Sequence, residues 1–301
     1  MGTFVTIEVV RDVTLANFET GVDAAIERAF GWFHEIEQRC TRFDPSSELM
    51  QLTASPGVPV AASPILFQAV QFALLVAEES DGAFDPTVGH RMESRGFNRE
   101  HRSGKIVQTQ LGRASRNVSW RDVQLDCEEK TITLLRPLTL DLGAVAKGLA
   151  IDMAVRELAS FRNFAIDAGG DLYLGGSNSN ADPWSVGIRH PRRDGELIES
   201  LRVSDRAVCT SGDYERRVPG ENLNDRGQHH ILDPRTGESP TDVVSVTAVA
   251  PGAMLADALA TAAFVLGPEV GIQLLHRTGV EGLMFTADLK RYETRGLRRA
   301  A

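Results

Sequence analysis

Three aspartates, one lysine and a pair of histidines stand out in these 301 residues, the aspartates and the lysine because each is set among apolar or glycine-rich neighbours. The run Leu140-Asp141-Leu142-Gly143-Ala144-Val145-Ala146-Lys147-Gly148 leads into Ala150, Met153 and Ala154 at helical spacing, so a helix is expected to open near Gly143. Free amides and the positive dipole end at that point favour a phosphate, and Lys147, one turn in, reaches back toward it. A junction whose lysine only extends to solvent gives the same pattern, and the spacing is not that of a P-loop.

Asp257 and Thr261 are four residues apart in Met254-Leu255-Ala256-Asp257-Ala258-Leu259-Ala260-Thr261, so they share one face of an otherwise apolar helix. A carboxylate placed there needs a partner: a lysine, an arginine, or a hard divalent cation held by carboxylate, hydroxyl and main-chain oxygens. A buried salt bridge and an aspartate offsetting the helix dipole are the other two readings. Phe164 to Gly176 reads as strand, Gly169-Gly170 turn and second strand beginning at Asp171; the glycines permit a close backbone approach to a ligand or merely close a hairpin. His229 and His230 are acid/base candidates, or strand histidines satisfied by carbonyls.

Positioning these groups requires a scaffold, and the hydropathy pattern supplies one. An N-terminal strand precedes an amphipathic helix over Phe18 to Cys40; a second helix follows over about Ser63 to Ser80, with Pro64 at its first position. Thr131 to Leu140 reads as one or two strands after a hairpin around Cys127 to Lys130. Short strands fill Trp184 to Thr210 and Val243 to Ala250. Helices follow over Ala253 to Leu266 and Glu269 to Thr278, then strands over Gly282 to Phe285 and Lys290 to Thr294. Strands come in runs rather than in strict alternation with helices, which predicts an α+β fold. No linker divides the chain, so one domain over 1–301 is expected, with a long exposed loop at about 90–117 that is rich in Arg and Gly.

Composition narrows the function. A net charge of −9, with no basic stripe, argues against a nucleic-acid partner. The longest apolar run is interrupted by Pro251, Gly252 and Asp257, which argues against membrane insertion. Cys40, Cys127 and Cys209 are widely spaced and form no metal or redox motif, and the start of the chain has no signal-peptide pattern, so a cytoplasmic protein is expected.

Taken in order, Met1 to Thr3, Arg42 to Leu49, Gly82 to Gly89, Asp141 to Asp152, Asp167 to Leu172, Thr210 to Arg216, His230 to Gly237 and Val244 to Leu266 resemble the ApbE-type FAD:protein FMN transferases nearly end to end. The resemblance implies an ApbE-like α+β domain, mainly antiparallel strands with packed helices. It also implies Mg²⁺-dependent transfer of FMN from FAD to a Thr or Ser hydroxyl of a target protein, with AMP leaving. By resemblance, Ala144 (main-chain carbonyl), Asp257 and Thr261 hold Mg²⁺, and Lys147 sits on the pyrophosphate. Asp141, Asp171 and the Gly169-Gly170 turn fall where the family holds adenosine. Phe43 falls where a flavin-stacking Tyr is usual, Ser211 and His230 face the same cavity, and Thr3 belongs to the first matching stretch. His230 is the favoured acid/base group and His229 its competitor. Thr53, where the family often has Asn, is a further departure. A Mg²⁺-dependent FAD pyrophosphatase and a non-catalytic FAD-binding protein remain the alternatives.

Overall fold

The computed structural model describes residues 2–11, 18–100, 104–107, 109, 118–215 and 228–297. Met1, Arg216 and much of 101–117, which the sequence analysis had included, lie outside that set.

A short strand β1 (Val5–Val9) leads into α1 (Phe18–Cys40), α2 (Glu48–Thr53), β2 (Val60–Ala61), α3 (Pro64–Glu79) and α4 (Gly89–Ser94). The hairpin β3 (Val123–Asp126) and β4 (Thr131–Leu134) precedes α5 (Gly143–Glu157). Then come β5 (Phe164–Ala168), β6 (Asp171–Gly175), β7 (Trp184–Arg189), β8 (Leu197–Val203), β9 (Arg206–Gly212) and β10 (Val243–Ala250). The last elements are α6 (Ala253–Leu266), α7 (Pro268–Arg277), β11 (Glu281–Thr286) and β12 (Arg291–Glu293). Serines cap two helices as their types require: Ser47 Oγ accepts the Met50 amide and Ser63 Oγ the Leu66 amide.

The central sheet has seven strands in the order β1-β5-β6-β9-β10-β11-β12, with each neighbouring pair antiparallel. β2-β4-β3 form a second antiparallel sheet and β7-β8 a third. The predicted α+β class is therefore the observed one. β10 is buried at all eight positions, where a strand with one solvated face would alternate. The reason is that both faces of the central sheet are covered. One carries the helices and the main core around Leu149, Ile166, Val246 and Phe264. The other carries the β7-β8 hairpin over Leu174, Val208, Val249 and Phe285.

Two expectations are corrected. The strand expected over Thr131 to Leu140 ends at Leu134, because its partners β2 and β3 are short and Pro137 has no amide to donate. Leu138 to Leu140 are nevertheless buried. They lie on the 86–89 segment, where Pro86 O accepts the Asp141 amide at 2.7 Å and a Cβ at Gly89 would stand 2.6 Å from Thr139 O. The exposed loop expected at 90–117 begins as helix α4, with Met92, Glu93 and Asn98 buried. Two of its arginines find partners: Arg91 Nη1 donates to Pro234 O at 2.8 Å and Arg95 pairs with Glu238 at 2.5 Å. A helix this short leaves no readable periodicity, and the partners of its part-buried arginines come from segments far along the chain. Among the described residues no helix is long and apolar enough to cross a membrane.

Candidate active site

α5 and α6 cross in unusually close contact. A Cβ on Gly148 would stand 2.4 Å from Met254 Cα, so only glycine lets the two backbones meet there. That crossing brings Lys147, the residue before Gly148, against Asp257, one turn into α6: Nζ and Oδ2 are 3.8 Å apart. Lys147 also forms an ion pair with Asp171, the first residue of β6. Asp171 is held in turn by the Thr210 amide, which donates to its Oδ1 at 3.3 Å. Both carboxylates are nearly buried, with side-chain exposures of 3% for Asp171 and 10% for Asp257, against 22% for the lysine.

Hydroxyls border this cluster. Ser211, on the helix-facing side of β9, lies with Oγ 3.2 Å from Thr261 Oγ1, one turn beyond Asp257. Cys209 shares that side of the strand; burial pushes its thiol well up, and the Asp257 charge adds to the push. Ala144 is the second residue of α5, so its carbonyl belongs to the helix hydrogen-bond ladder, with a second lone pair for a further contact.

At the N-terminus of α5, Asp141 Oδ1 accepts the Gly143 amide at 2.8 Å and Oδ2 accepts from Arg42 Nε at 2.7 Å. The free amides expected to await a phosphate are thus partly served by Asp141 itself. Arg42 is 5% exposed and ties three distant segments together. It donates to Asp141 and to the Phe97 carbonyl, stands 3.9 Å from Glu93, and lies over the Phe43 ring at 4.3 Å. Sequence reasoning passed over Arg42. It stood inside a matching stretch, but nothing in one sequence marks an arginine as buried.

The turn after β5 meets the N-terminal strand. Gly169 has φ +67°, and a Cβ there would fall 2.0 Å from Thr3 Oγ1. Gly170, φ +92°, donates its amide to Asp167 Oδ1 at 2.8 Å. Both glycines line a cleft of about 320 Å³ beneath the β7-β8 hairpin, together with Leu172, Arg189, Thr210 and Tyr214. Because successive strand residues alternate in direction, Leu172 and Thr210 face this cleft while Asp171 and Ser211 face the helices. The residues expected to share the adenosine end of FAD are therefore divided between the two faces at one end of the sheet.

Of the two histidines, His229 is locked. The Ile231 amide donates to Nδ1 at 3.3 Å, so Nε2 carries the proton and donates to Pro240 O at 2.8 Å, while the ring meets Phe264 edge-on at 5.5 Å. That is a satisfied structural histidine. His230 is half-buried.

A family model described as the ApbE family matches residues 1–284. The chain belongs to the ApbE family. It is 34% identical over 291 residues to the FAD:protein FMN transferase of Treponema pallidum, covering 89% of this chain and 78% of that protein. With the FAD:protein FMN transferase of Vibrio cholerae it shares 29% over 290 residues, covering 94% and 84% of the two chains. In three dimensions it is similar to the ApbE protein of Thermotoga maritima, with a TM-score of 0.82 and 30% identity over 98% of this chain and 94% of the other. The flavin transferase ApbE from Vibrio cholerae gives a TM-score of 0.80 at 27% identity, over 98% and 94%. Within this ApbE-family fold, Lys147, Asp171, Asp257, Thr261 and Ser211 come together around the α5-α6 crossing. Asp141 and Phe43 meet through Arg42, and Thr3 packs on Gly169.

Proposed function

We propose that the chain transfers FMN from FAD to a Thr or Ser hydroxyl of a target protein in a Mg²⁺-dependent reaction, and that residues 1–301 act as one domain in doing so. The observation that carries this reading is the Lys147 ammonium set between Asp171 and Asp257 at the α5-α6 crossing. Its relatives' activity supports it.

The donor set fits a magnesium ion. Two nearly buried carboxylates against one ammonium leave a net negative charge in a low-dielectric place, which a divalent cation beside Asp257 offsets. Asp257, the Thr261 hydroxyl and the Ala144 carbonyl are hard oxygen donors of the kind Mg²⁺ takes, with substrate phosphate completing the set. When bound, the ion supplies charge neutralisation at the phosphoryl group under attack.

The chain's own groups do the rest. Lys147 binds the pyrophosphate and Asp171 orients that ammonium. Phe43, backed by the Arg42 guanidinium on one face, offers its other face to the flavin ring. Thr3 and the Gly169-Gly170 turn hold the substrate near the sheet end, with Asp141 and Ser211 flanking it. His230 takes the proton from the acceptor hydroxyl as that oxygen bonds to the FMN phosphorus. The bond from that phosphorus to the bridging oxygen breaks, and AMP leaves with that oxygen. Three free thiols fit a reducing, cytoplasmic setting.

The test is incubation with FAD, Mg²⁺ and a Thr/Ser-bearing acceptor protein. Flavin retained on the denatured acceptor, AMP released in equal amount, and loss of both on chelation are expected. AMP release with no flavin on the acceptor assigns the site to hydrolysis instead; FAD binding with neither product leaves only a flavin-binding protein.

A further inference from the structure

We propose that Asp152 is a positioning residue for this transfer, fixing the separation of Lys147 and Asp257 by capping α6 from α5. The inference rests on reading Lys147 and Asp257 as the phosphate and metal groups. α6 has no cap of its own: its N-cap is Gly252, and its first turn holds no acid. Asp152 fills that role from the neighbouring helix, Oδ1 accepting the Ala253 amide at 2.6 Å and Oδ2 the Met254 amide at 3.1 Å. Its negative charge also offsets the positive end of the α6 dipole.

The fit around this cap leaves little play. A Cβ on Gly252 would stand 3.1 Å from the Asp152 carboxylate, and one on Gly148 would stand 2.4 Å from Met254 Cα. Asp152 and Gly148 lie four residues apart on one face of α5, and Asp257 lies four residues beyond the capped Ala253 on α6. Lys147 adjoins one contact point and Asp257 sits a turn from the other. A slip or tilt of α6 on α5 is therefore passed on to the Lys147–Asp257 distance. Partial burial raises the Asp152 carboxyl above its usual range, against the lowering by its two amide bonds. Asp152 is more than a turn from Lys147 along α5 and acts through the helix.

The test uses the whole chain with Mn²⁺ as a paramagnetic stand-in for Mg²⁺. Metal affinity is read by electron paramagnetic resonance without FAD, and turnover is read separately. D152N and D152A are each expected to weaken Mn²⁺ binding and to lower kcat by about 10- to 100-fold, as loss of an outer support does, with KM for FAD little changed. Variants that melt earlier, yet when fully folded bind Mn²⁺ and turn over like the parent, reduce Asp152 to a stability cap and overturn the proposal. If D152A does not fold, D152N carries the test, since it keeps the shape and one acceptor oxygen. D257A serves as the control: unchanged Mn²⁺ affinity there refutes the metal reading, and the kcat of D152N still decides the positioning role.

Discussion

Lys147 Nζ stands 3.8 Å from Asp257 Oδ2 while also pairing with Asp171, so one ammonium on α5 links a residue of α6 to the start of β6. Three elements far apart in sequence thus meet at one cation.

Replacing Lys147 with Met leaves two nearly buried carboxylates without their shared ammonium. A loss of about 3 kcal/mol in urea unfolding is expected, with kcat lower by about 10²- to 10³-fold through loss of charge stabilisation at the phosphoryl group. Adding D171N should restore part of the stability and none of the activity, because the stability cost lies in the stranded charge.

Gly148→Ala places a methyl group 2.4 Å from Met254 Cα and forces the two helices apart. The expected cost is about 1–3 kcal/mol by thermal melting. Turnover should fall further than the folded fraction does. Equal falls would mean that the helix spacing does not matter to the chemistry.

At Gly169 a side chain meets two obstacles, a left-handed backbone and Thr3 Oγ1 at 2.0 Å. G169A is expected to destabilise by about 1–3 kcal/mol and to raise KM for FAD. In the double variant T3A/G169A the steric part is relieved and the backbone part remains, so the two changes should combine to less than their sum. Strict additivity in melting experiments would place Thr3 elsewhere.

Arg42→Lys keeps the charge but not the fork that reaches Asp141 and Phe97 while lying over Phe43. Weaker FAD binding is expected by flavin fluorescence titration, with altered quenching of the bound ring. R42M should be worse, with about 3 kcal/mol lost because Asp141 and Glu93 lose their cation.

Cys40 is pushed up to about 12 by burial and then by the Glu48 charge, and burial also raises Cys209 well above its ordinary value. Only the exposed Cys127 should react with a thiol reagent in the native protein at pH 8, the other two reacting on unfolding. The folded pKa of Cys40 exceeds its ordinary value of 9.0, so above that pH the unfolded chain gives up a proton that the folded chain keeps. Stability is unaffected below that value and falls as pH rises through the window, by about 1.4 kcal/mol per unit from this group. C40A should show a shallower fall in urea midpoints between pH 9 and 11.

Much of this was legible in the residues. The long helices α1, α3, α5 and α6 announce themselves because their apolar patterns run for several turns, and the Gly169-Gly170 turn because glycine takes positive φ values most readily. α4 and the end of β4 were not legible. A helix of six residues has no measurable period, and a strand ends where its partners end, which lies elsewhere in the chain.

By itself, then, the sequence determined the α+β class, the family resemblance and the choice of candidate site residues: Lys147, Asp257 and Thr261 stood out because a charge or hydroxyl in an apolar helix needs a reason. Tertiary structure alone decided their partners. Asp171 pairs with Lys147, Arg42 is buried under Phe43, His229 is locked against the Pro240 carbonyl, and Asp152 caps a helix that begins 101 residues later. Local pattern fixes which face a residue occupies. What stands opposite that face depends on how separate segments pack, and here the absence of a Cβ at Gly148 sets that packing.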